Sequence, residues 1–573
     1  MLDCLLRAIS RNFSRNFSFT RMCGIFVTLH STYGFEEDTF LIDDVLDKSL
    51  YAVKTPLVLC PRSVNRNIDL ALARRGPDRA GLWETEIRLG VQLVMQGSVL
   101  QMRGTETTGV PVCDQRSANV LLFNGEIFSW HGNELRDGSD STWLFAQLGT
   151  EVTKEGIIQI LSSLRGPWCL VYWQSDLKKL WIAKDIIGRR SLLLRAPSEH
   201  EKCFVVASVS TSETGWTDIA PGIYSIQIEA EARSKGRCLR VNWENHEWFH
   251  PVPRLLDSLK RRRGSEDDRA CRELIFKKES ATLCIWKNLD SSVRVRTVCS
   301  FKPQTFPPNR GVHDALFGVL FSGGLDSVIL CSLLHRHVPI SQFIDLCSVC
   351  FEGGKSPDRR SAKVSLAELE RISPGRKWRL IEVNVCASEV VSVMQHVRSL
   401  ISPSESVMDF NIGVALWFAA KGKGVIHTHP EAKAIMYTSK ARILITGHGA
   451  DELFAGYSRH RSVFQTFGRK ATEECLRKDM LRLWHRNLGR DDRIISDHGR
   501  EARYPYLDED LILSALAVPD LEIADLDQPK GEGDKKCLRT LARHLGLWET
   551  AQRHKRAIQF GSRVSKTQQN INL

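Results

Sequence analysis

The chain has 573 residues, 42% of them apolar and 25% charged. That length exceeds one ordinary core, and that balance excludes wholesale disorder, collagen-like and coiled-coil architectures, so two or three globular domains are expected. Lys and Arg outnumber Asp and Glu by 79 to 67, a formal charge of +12 that is mild for this size. The basic run at residues 260–263, with Lys277 and Lys278, reads as solvated loop rather than a nucleic-acid surface. No uncharged apolar run is as long as the roughly 18 residues of a membrane-spanning helix, so no membrane partner is expected. The 16 cysteines are scattered singly, as in a reducing compartment. The one CxxC, Cys347 to Cys350, sits inside an apolar run and reads as buried strand, not as a zinc site.

In chain order, residues 1–22 come first: Arg7, Arg11, Arg15 and Arg21 alternate with Leu5, Leu6, Ile9, Phe13, Phe17 and Phe19, and Asp3 is the only acid. This is either a mitochondrial transit segment or sequence upstream of a start at Met22. A β-like run opens at Cys23-Gly24-Ile25-Phe26. Then come Arg74-Arg75-Gly76-Pro77-Asp78, Asn124-Gly125-Glu126 after the apolar strand 120–123, Asp140, and Lys184-Asp185 through Arg190. Short apolar runs alternate with turn residues up to about Trp248, a mixed α/β layer pattern.

Taken together, the order and spacing of these motifs resemble the class II glutamine amidotransferase domain, an Ntn-hydrolase-type layered α/β fold. The resemblance implies that Cys23 is the nucleophile, with its own α-amine as base. It implies Asn124 and the Gly125 N–H as oxyanion donors, and Asp140 as the partner of the glutamine α-ammonium. Cys23 must then be the first residue of the mature chain, exposed either by methionine removal after initiation at Met22 or by transit-peptide cleavage. The first route leaves a cytoplasmic protein, the second a mitochondrial one; the cytoplasm is expected. Asparagine synthetases carry an arginine where this chain has Gly97, and Arg75 or Arg103 is left as a substitute for gripping the glutamine carboxylate.

Between residues 249 and 312 the pattern is lost, except for helical spacing at Ala281–Val298; this stretch is expected to be linker plus a helix leading into the second half. Leu316-Phe317-Gly318-Val319-Leu320-Phe321 suits a parallel strand buried on both faces. Ser322-Gly323-Gly324-Leu325-Asp326-Ser327 follows at once and runs into a helical pattern. A strand, a glycine turn and a helix start gather backbone N–H groups around an anion.

The SGGLDS segment resembles the pyrophosphate loop of ATP pyrophosphatases. With Ser356-Pro357-Asp358, Thr446-Gly447-His448-Gly449-Ala450-Asp451-Glu452, Arg503 to Asp508, and Asp534-Lys535, the chain resembles the class II asparagine synthetase family, closest to its divergent eukaryotic domain-containing group. The resemblance implies a doubly wound parallel-sheet domain over residues 313–563, after a glutaminase domain over residues 23–248, with a tail from 564. It implies ATP contacts at Leu320, Ser322, Gly323, Gly324, Asp326, Ser327, Val349, Thr446 and Gly447. Mg²⁺ is expected on Asp326 and Asp451, and Lys535 at the departing pyrophosphate. The expected substrates are glutamine, ATP and aspartate, joined by glutamine hydrolysis and ammonia transfer to an adenylated carboxylate. Two departures fall at the acceptor site. His448 stands where asparagine synthetases carry glutamate, still able to act as a base, and residues 406–411 lack the arginine expected beside the acceptor. Another carboxylate acceptor, or a retired nucleotide- or partner-binding scaffold, therefore stays open. The insertion at residues 427–440 is expected to be a loop, with His427 and His429 in it rather than a metal pair.

Overall fold

The computed structural model describes residues 24–31, 34–35, 70–88, 91–102, 109–135, 138–197, 203–211, 215–233, 236–247, 281–298, 313–351, 353–427, 433–518 and 520–571. The leader, the expected nucleophile Cys23, Arg103, the basic run at 260–263 and His429 lie outside these residues.

The first half stacks two mainly antiparallel sheets. In one, Gly24–Ser31 lies between Cys203–Ala207 and Val91–Val99. In the other, Val120–Gly125, Trp168–Gln174, Lys179–Lys184 and Gly222–Arg233 pair in succession. Alternate residues face the space between the sheets, so Ile25, Val27, Leu93 and Met95 meet Leu122, Val171, Leu180 and Ile182 in one core. Helices Asp140–Thr150 and Lys154–Ser162 cover the outer face of the second sheet through Leu144, Leu148, Ile157 and Leu161 against Leu121, Leu170 and Tyr172. Ser139 caps the first helix and Thr153 the second. On the far side, Leu72 from the helical stretch 70–75 packs on Phe26 and Val205. Four layers result, helix–sheet–sheet–helix.

The second half is a doubly wound sheet with strand order Ile435–Thr438, Lys423–Ile426, Lys377–Asn384, Phe343–Cys350, Phe317–Leu320, Ile443–Ile445, Glu501–Arg503. The last five run parallel. Phe343–Cys350 is buried almost throughout, as a parallel strand covered on both faces should be. One face carries Leu325–His337, with Val328, Ile329 and Leu333 in its core. The other carries Ala387–Ile401 and Val407–Lys421.

Three expectations are corrected. The insertion at 427–440 is no simple loop: Ile435–Thr438 folds back on Lys423–Ile426 as an antiparallel hairpin at the sheet edge. The stretch after 564 is no tail: Val564–Ile571 is helical, and Val564 is fully buried against the core around Phe410 and Val414. The helix Ala281–Val298 belongs to the second half, because Ile285, Leu289 and Val293 enter that core.

The halves are joined by buried ion pairs. Gly489–Ser496 is buried along its whole length. Its Asp492 holds Arg75 at 2.6 Å and Arg190 at 3.2 Å, while Arg493 holds Asp218 at 3.3 Å. Arg189 meets Glu509 at 2.6 Å, and Asp78 meets Arg442 at 3.0 Å. Burial alone would raise the Asp492 carboxyl, but Arg75 and Arg190 outweigh it and hold the group below its ordinary value.

Candidate functional site

In the first half, Asn124 is the penultimate residue of the Val120–Gly125 strand, beside the turn into Glu126. Gly125 has φ +147°, and a Cβ there would lie 2.1 Å from the Pro167 carbonyl oxygen, so no other residue fits without moving backbone. The Asn124 side chain is buried, and its Nδ2 has no hydrogen-bond partner among the described residues. An amide N–H left this way is costly unless something arrives to accept it, as an oxyanion would. Asp140, the first residue of its helix, accepts the Ile127 N–H at 2.9 Å. Asn124, Gly125 and Asp140 thus surround one turn. Two residues after Cys23 in sequence, the Ile25 N–H donates to Ser208 Oγ at 2.9 Å, and the Ser208 carbonyl accepts from Arg75 at 3.2 Å.

Of the two arginines left for the carboxylate grip, Arg103 lies outside the described residues and Arg75 is engaged elsewhere. Gly97 is boxed in: a Cβ would sit 2.5 Å from Leu122 and from Val110, so this strand position packs against the facing sheet. Arg75 is turned away to Asp492 in the other half. The Arg75–Asp78 and Asp185–Arg190 motifs therefore do structural work at the junction between the halves.

At the other end, Leu320, Val349 and Thr446 lie at or just beyond the carboxyl ends of three adjacent parallel strands, around the point where strand order reverses. Ligands in open α/β sheets bind in that crevice. Ser322 is exposed, and its Oγ accepts the Gly324 N–H at 3.2 Å. Gly323 has φ +69° and abuts the backbone of Ser361 and Ala362, so the turn is tight against the helix behind it. The Leu325–His337 helix starts at Gly324 with no side-chain cap, leaving its first N–H groups for an anion. Ser327 Oγ bonds back to the Gly324 carbonyl at 3.1 Å. Gly447 lies against the Asp326 side chain, where a Cβ would come within 3.1 Å.

Asp326 and Asp451 converge. Lys535 Nζ is 2.6 Å from Asp326 Oδ2 and 2.8 Å from Asp451 Oδ1, and Lys555 Nζ is 2.5 Å from Asp451 Oδ2. Two carboxylates already sharing one cation position form a hard oxygen set that fits Mg²⁺. Burial by itself would raise Asp451, but Lys535 and Lys555 hold it well below the usual carboxylate range; burial and the neighbouring Asp451 push Asp326 the other way. Burial disfavours the Lys535 charge, yet the two carboxylates keep it above the ordinary lysine value. Lys535 itself has φ +52°. A non-glycine residue held there marks a position fixed by its surroundings.

His448 meets Asp491 at 2.8 Å through Nε2 and Thr446 Oγ1 at 2.9 Å through Nδ1. Arg490, one residue earlier, bonds both Asp491 and Asp409, so a guanidinium does reach the 406–411 segment, from a different helix. Sequence reasoning missed Lys555, Arg490 and Asp491. It also missed Arg553, which donates to the Gly323 carbonyl and Ser365 Oγ behind the turn, and Tyr457, whose hydroxyl bonds Glu452 at 2.6 Å and whose ring lies 4.3 Å from Lys555 Nζ. Tyr457 apart, these come from segments remote in sequence, and only folding makes them neighbours.

Residues 60–223 match the glutamine amidotransferase domain family, and residues 309–417 and 464–571 match the asparagine synthase family. The stretch between those two segments carries the hairpin and the Thr446–Glu452 turn. Asparagine synthetase domain-containing protein 1 of Mus musculus is 32% identical, covering 87% of this chain and 94% of its own. The protein of the same name in Homo sapiens is 31% identical, over 86% and 91%. An asparagine synthetase domain-containing protein of Saccharomyces cerevisiae is 28% identical, over 86% and 87%. With a glutamine amidotransferase domain ahead of an asparagine synthase domain, and relatives of this identity over nearly their whole length, the chain belongs to the asparagine synthetase domain-containing protein family.

Proposed function

We propose that the chain is a glutamine-dependent, ATP-using amide ligase whose reaction is aspartate to asparagine. The observation that carries this reading is the convergence of Asp326 and Asp451 on one cation position, beside an uncapped helix start. ATP phosphates rest on the N–H groups at the start of the Leu325–His337 helix, and Lys535 and Lys555 exchange their carboxylates for phosphate oxygens. Mg²⁺, when bound to Asp326 and Asp451, supplies positive charge to those oxygens. The acceptor carboxylate attacks the α-phosphorus, pyrophosphate leaves, and an acyl-adenylate remains. In the other half the Cys23 thiolate attacks the glutamine amide, the oxyanion is received by Asn124 and Gly125, and Asp140 meets the α-ammonium. The released ammonia passes to the adenylate, and His448 takes up a proton as the amide forms.

The test is pyrophosphate release by protein beginning at Cys23, with ATP, Mg²⁺ and glutamine or ammonium. Release that depends on aspartate supports the reading; release that is absent with every carboxylate overturns it. A second acceptor is favoured by His448 in place of glutamate and by the engagement of Arg490 with Asp409 and Asp491. Release with another carboxylate alone selects that alternative.

A further inference from the structure

No motif marks Asp491, which is fully buried in the Gly489–Ser496 helix. Oδ1 accepts from Arg490 Nε at 2.7 Å; Oδ2, which has no well-aligned hydrogen bond among the described residues, lies 2.8 Å from His448 Nε2. The opposite ring nitrogen of His448 is 2.9 Å from Thr446 Oγ1. The Tyr504 ring stands edge-on to the imidazole at 5.8 Å between centroids, fixing its plane. An ionised carboxylate has no hydrogen to give, and a bare nitrogen lone pair 2.8 Å from its oxygen would be repelled, so the neutral ring favours its hydrogen on Nε2. The neutral ring then keeps its lone pair on Nδ1, and the Thr446 hydroxyl must donate to it. Hydroxyl, imidazole and carboxylate in this order form an oriented base.

We propose that Thr446, His448 and Asp491 form a proton-withdrawing array for the amide-forming step, with Thr446 as relay, His448 as base and Asp491 as positioning residue. This rests on the reading above, that ammonia is joined to an adenylated carboxylate. The ammonia lone pair forms the C–N bond, and the carbonyl opens to an oxyanion. One nitrogen proton passes to Thr446 Oγ1 while the hydroxyl hydrogen moves to His448 Nδ1. The oxyanion then closes to the amide carbonyl, and the bond from carbon to the phosphate oxygen breaks, AMP leaving with that electron pair. His448, now an imidazolium facing Asp491, returns its proton to water.

The array is tested on the full chain in two ways. The first compares amide formation from added ammonium with ATP–pyrophosphate exchange. Thr446→Val keeps the shape and removes the hydroxyl, and the ratio of amide formation to exchange should fall at least about tenfold; Thr446→Ser should stay within about threefold of wild type. A packing role predicts the reverse order, because serine loses the methyl group that valine retains. Asp491→Asn should lower the same ratio by about tenfold or more. A Thr446→Val ratio equal to wild type overturns the relay. The second is ring-nitrogen NMR of ¹⁵N-histidine-labelled protein, with His448→Gln identifying the signal. Hydrogen on Nε2 supports the array, and hydrogen on Nδ1 overturns it whatever the acceptor. Absence of aspartate-dependent exchange in wild type would instead count against the functional reading, and the NMR result would still decide the array.

Discussion

In the ligase-type half the charged groups are closed on one another: Lys535 on Asp326 and Asp451, Lys555 on Asp451, His448 on Asp491. In the glutaminase-type half the Asn124 amide nitrogen is buried with no hydrogen-bond partner among the described residues. The first site must exchange existing ion pairs for new ones when a ligand arrives, because buried charge is tolerated only when paired. Under the proposed function, the second holds a donor ready for charge that develops during reaction, which is how an oxyanion site lowers a barrier. On that reading, one half binds highly charged molecules and the other meets a transient charge.

The sharpest way to break this contrast is Asp326→Asn. It should abolish ATP–pyrophosphate exchange and leave glutamate release from glutamine intact; loss of both would show that the two sites are not separable. Asn124→Ala should act on the other side, lowering kcat for glutamate release by about 10²–10³ while ammonium-dependent amide formation is preserved. A smaller loss would mean that the Gly125 N–H suffices. The junction between the halves can be loosened through Asp492→Asn, which removes the carboxylate facing Arg75 and leaves Arg190 with Glu501. Removing one partner of such a buried pair costs about 3–5 kcal/mol, so calorimetry should show a lower midpoint or two separated transitions. Gly97→Arg should not improve the glutamine KM. The added side chain meets Leu122 and Val110, and overpacking of this kind costs about 1–3 kcal/mol in urea unfolding.

The smallest effect concerns pH. Burial pushes the Asp358 carboxyl up to about 7, with Arg556 only partly opposing it. An unfolded aspartate titrates near 3.9, so the folded chain holds an extra proton between those values. The contribution of Asp358 to stability is therefore full below about pH 4, declines as pH rises, and is gone above about pH 7. Asp492, whose value is lowered, behaves oppositely: its contribution is present above the unfolded value and is lost as pH falls through the folded one. Asp358→Asn should flatten the fall in urea midpoint between pH 5 and pH 8 without touching the loss in acid.

Much of the ligase-type site was legible because its parts are local. A strand, two glycines and a helix start fall within about a dozen consecutive residues, and Asp326 rides on the helix they begin. The glutaminase motifs were legible as a series, but their destinations were not. Arg75, Asp78, Arg189 and Arg190 stand within that motif series, and the fold sends them across the junction to Asp492, Arg442, Glu509 and Asp492 again. A guanidinium reaches far enough that the spacing of its Cα in sequence does not say which carboxylate it will find.

The sequence by itself determined the two-part architecture, the order of strands and helices around Ser322 to Ser327, and the chemistry available at Asn124, Gly125, Asp326, Asp451 and Lys535. Hydrophobic period and glycine turns act over a few residues, and those are written in the chain directly. Only the tertiary structure decided that Lys555 shares Asp451 with Lys535, that Arg490 stands beside Asp409, and that Asp491 faces His448. Such pairings depend on which buried charges are forced together when distant segments lose water, and desolvation acts on the folded volume, not along the chain.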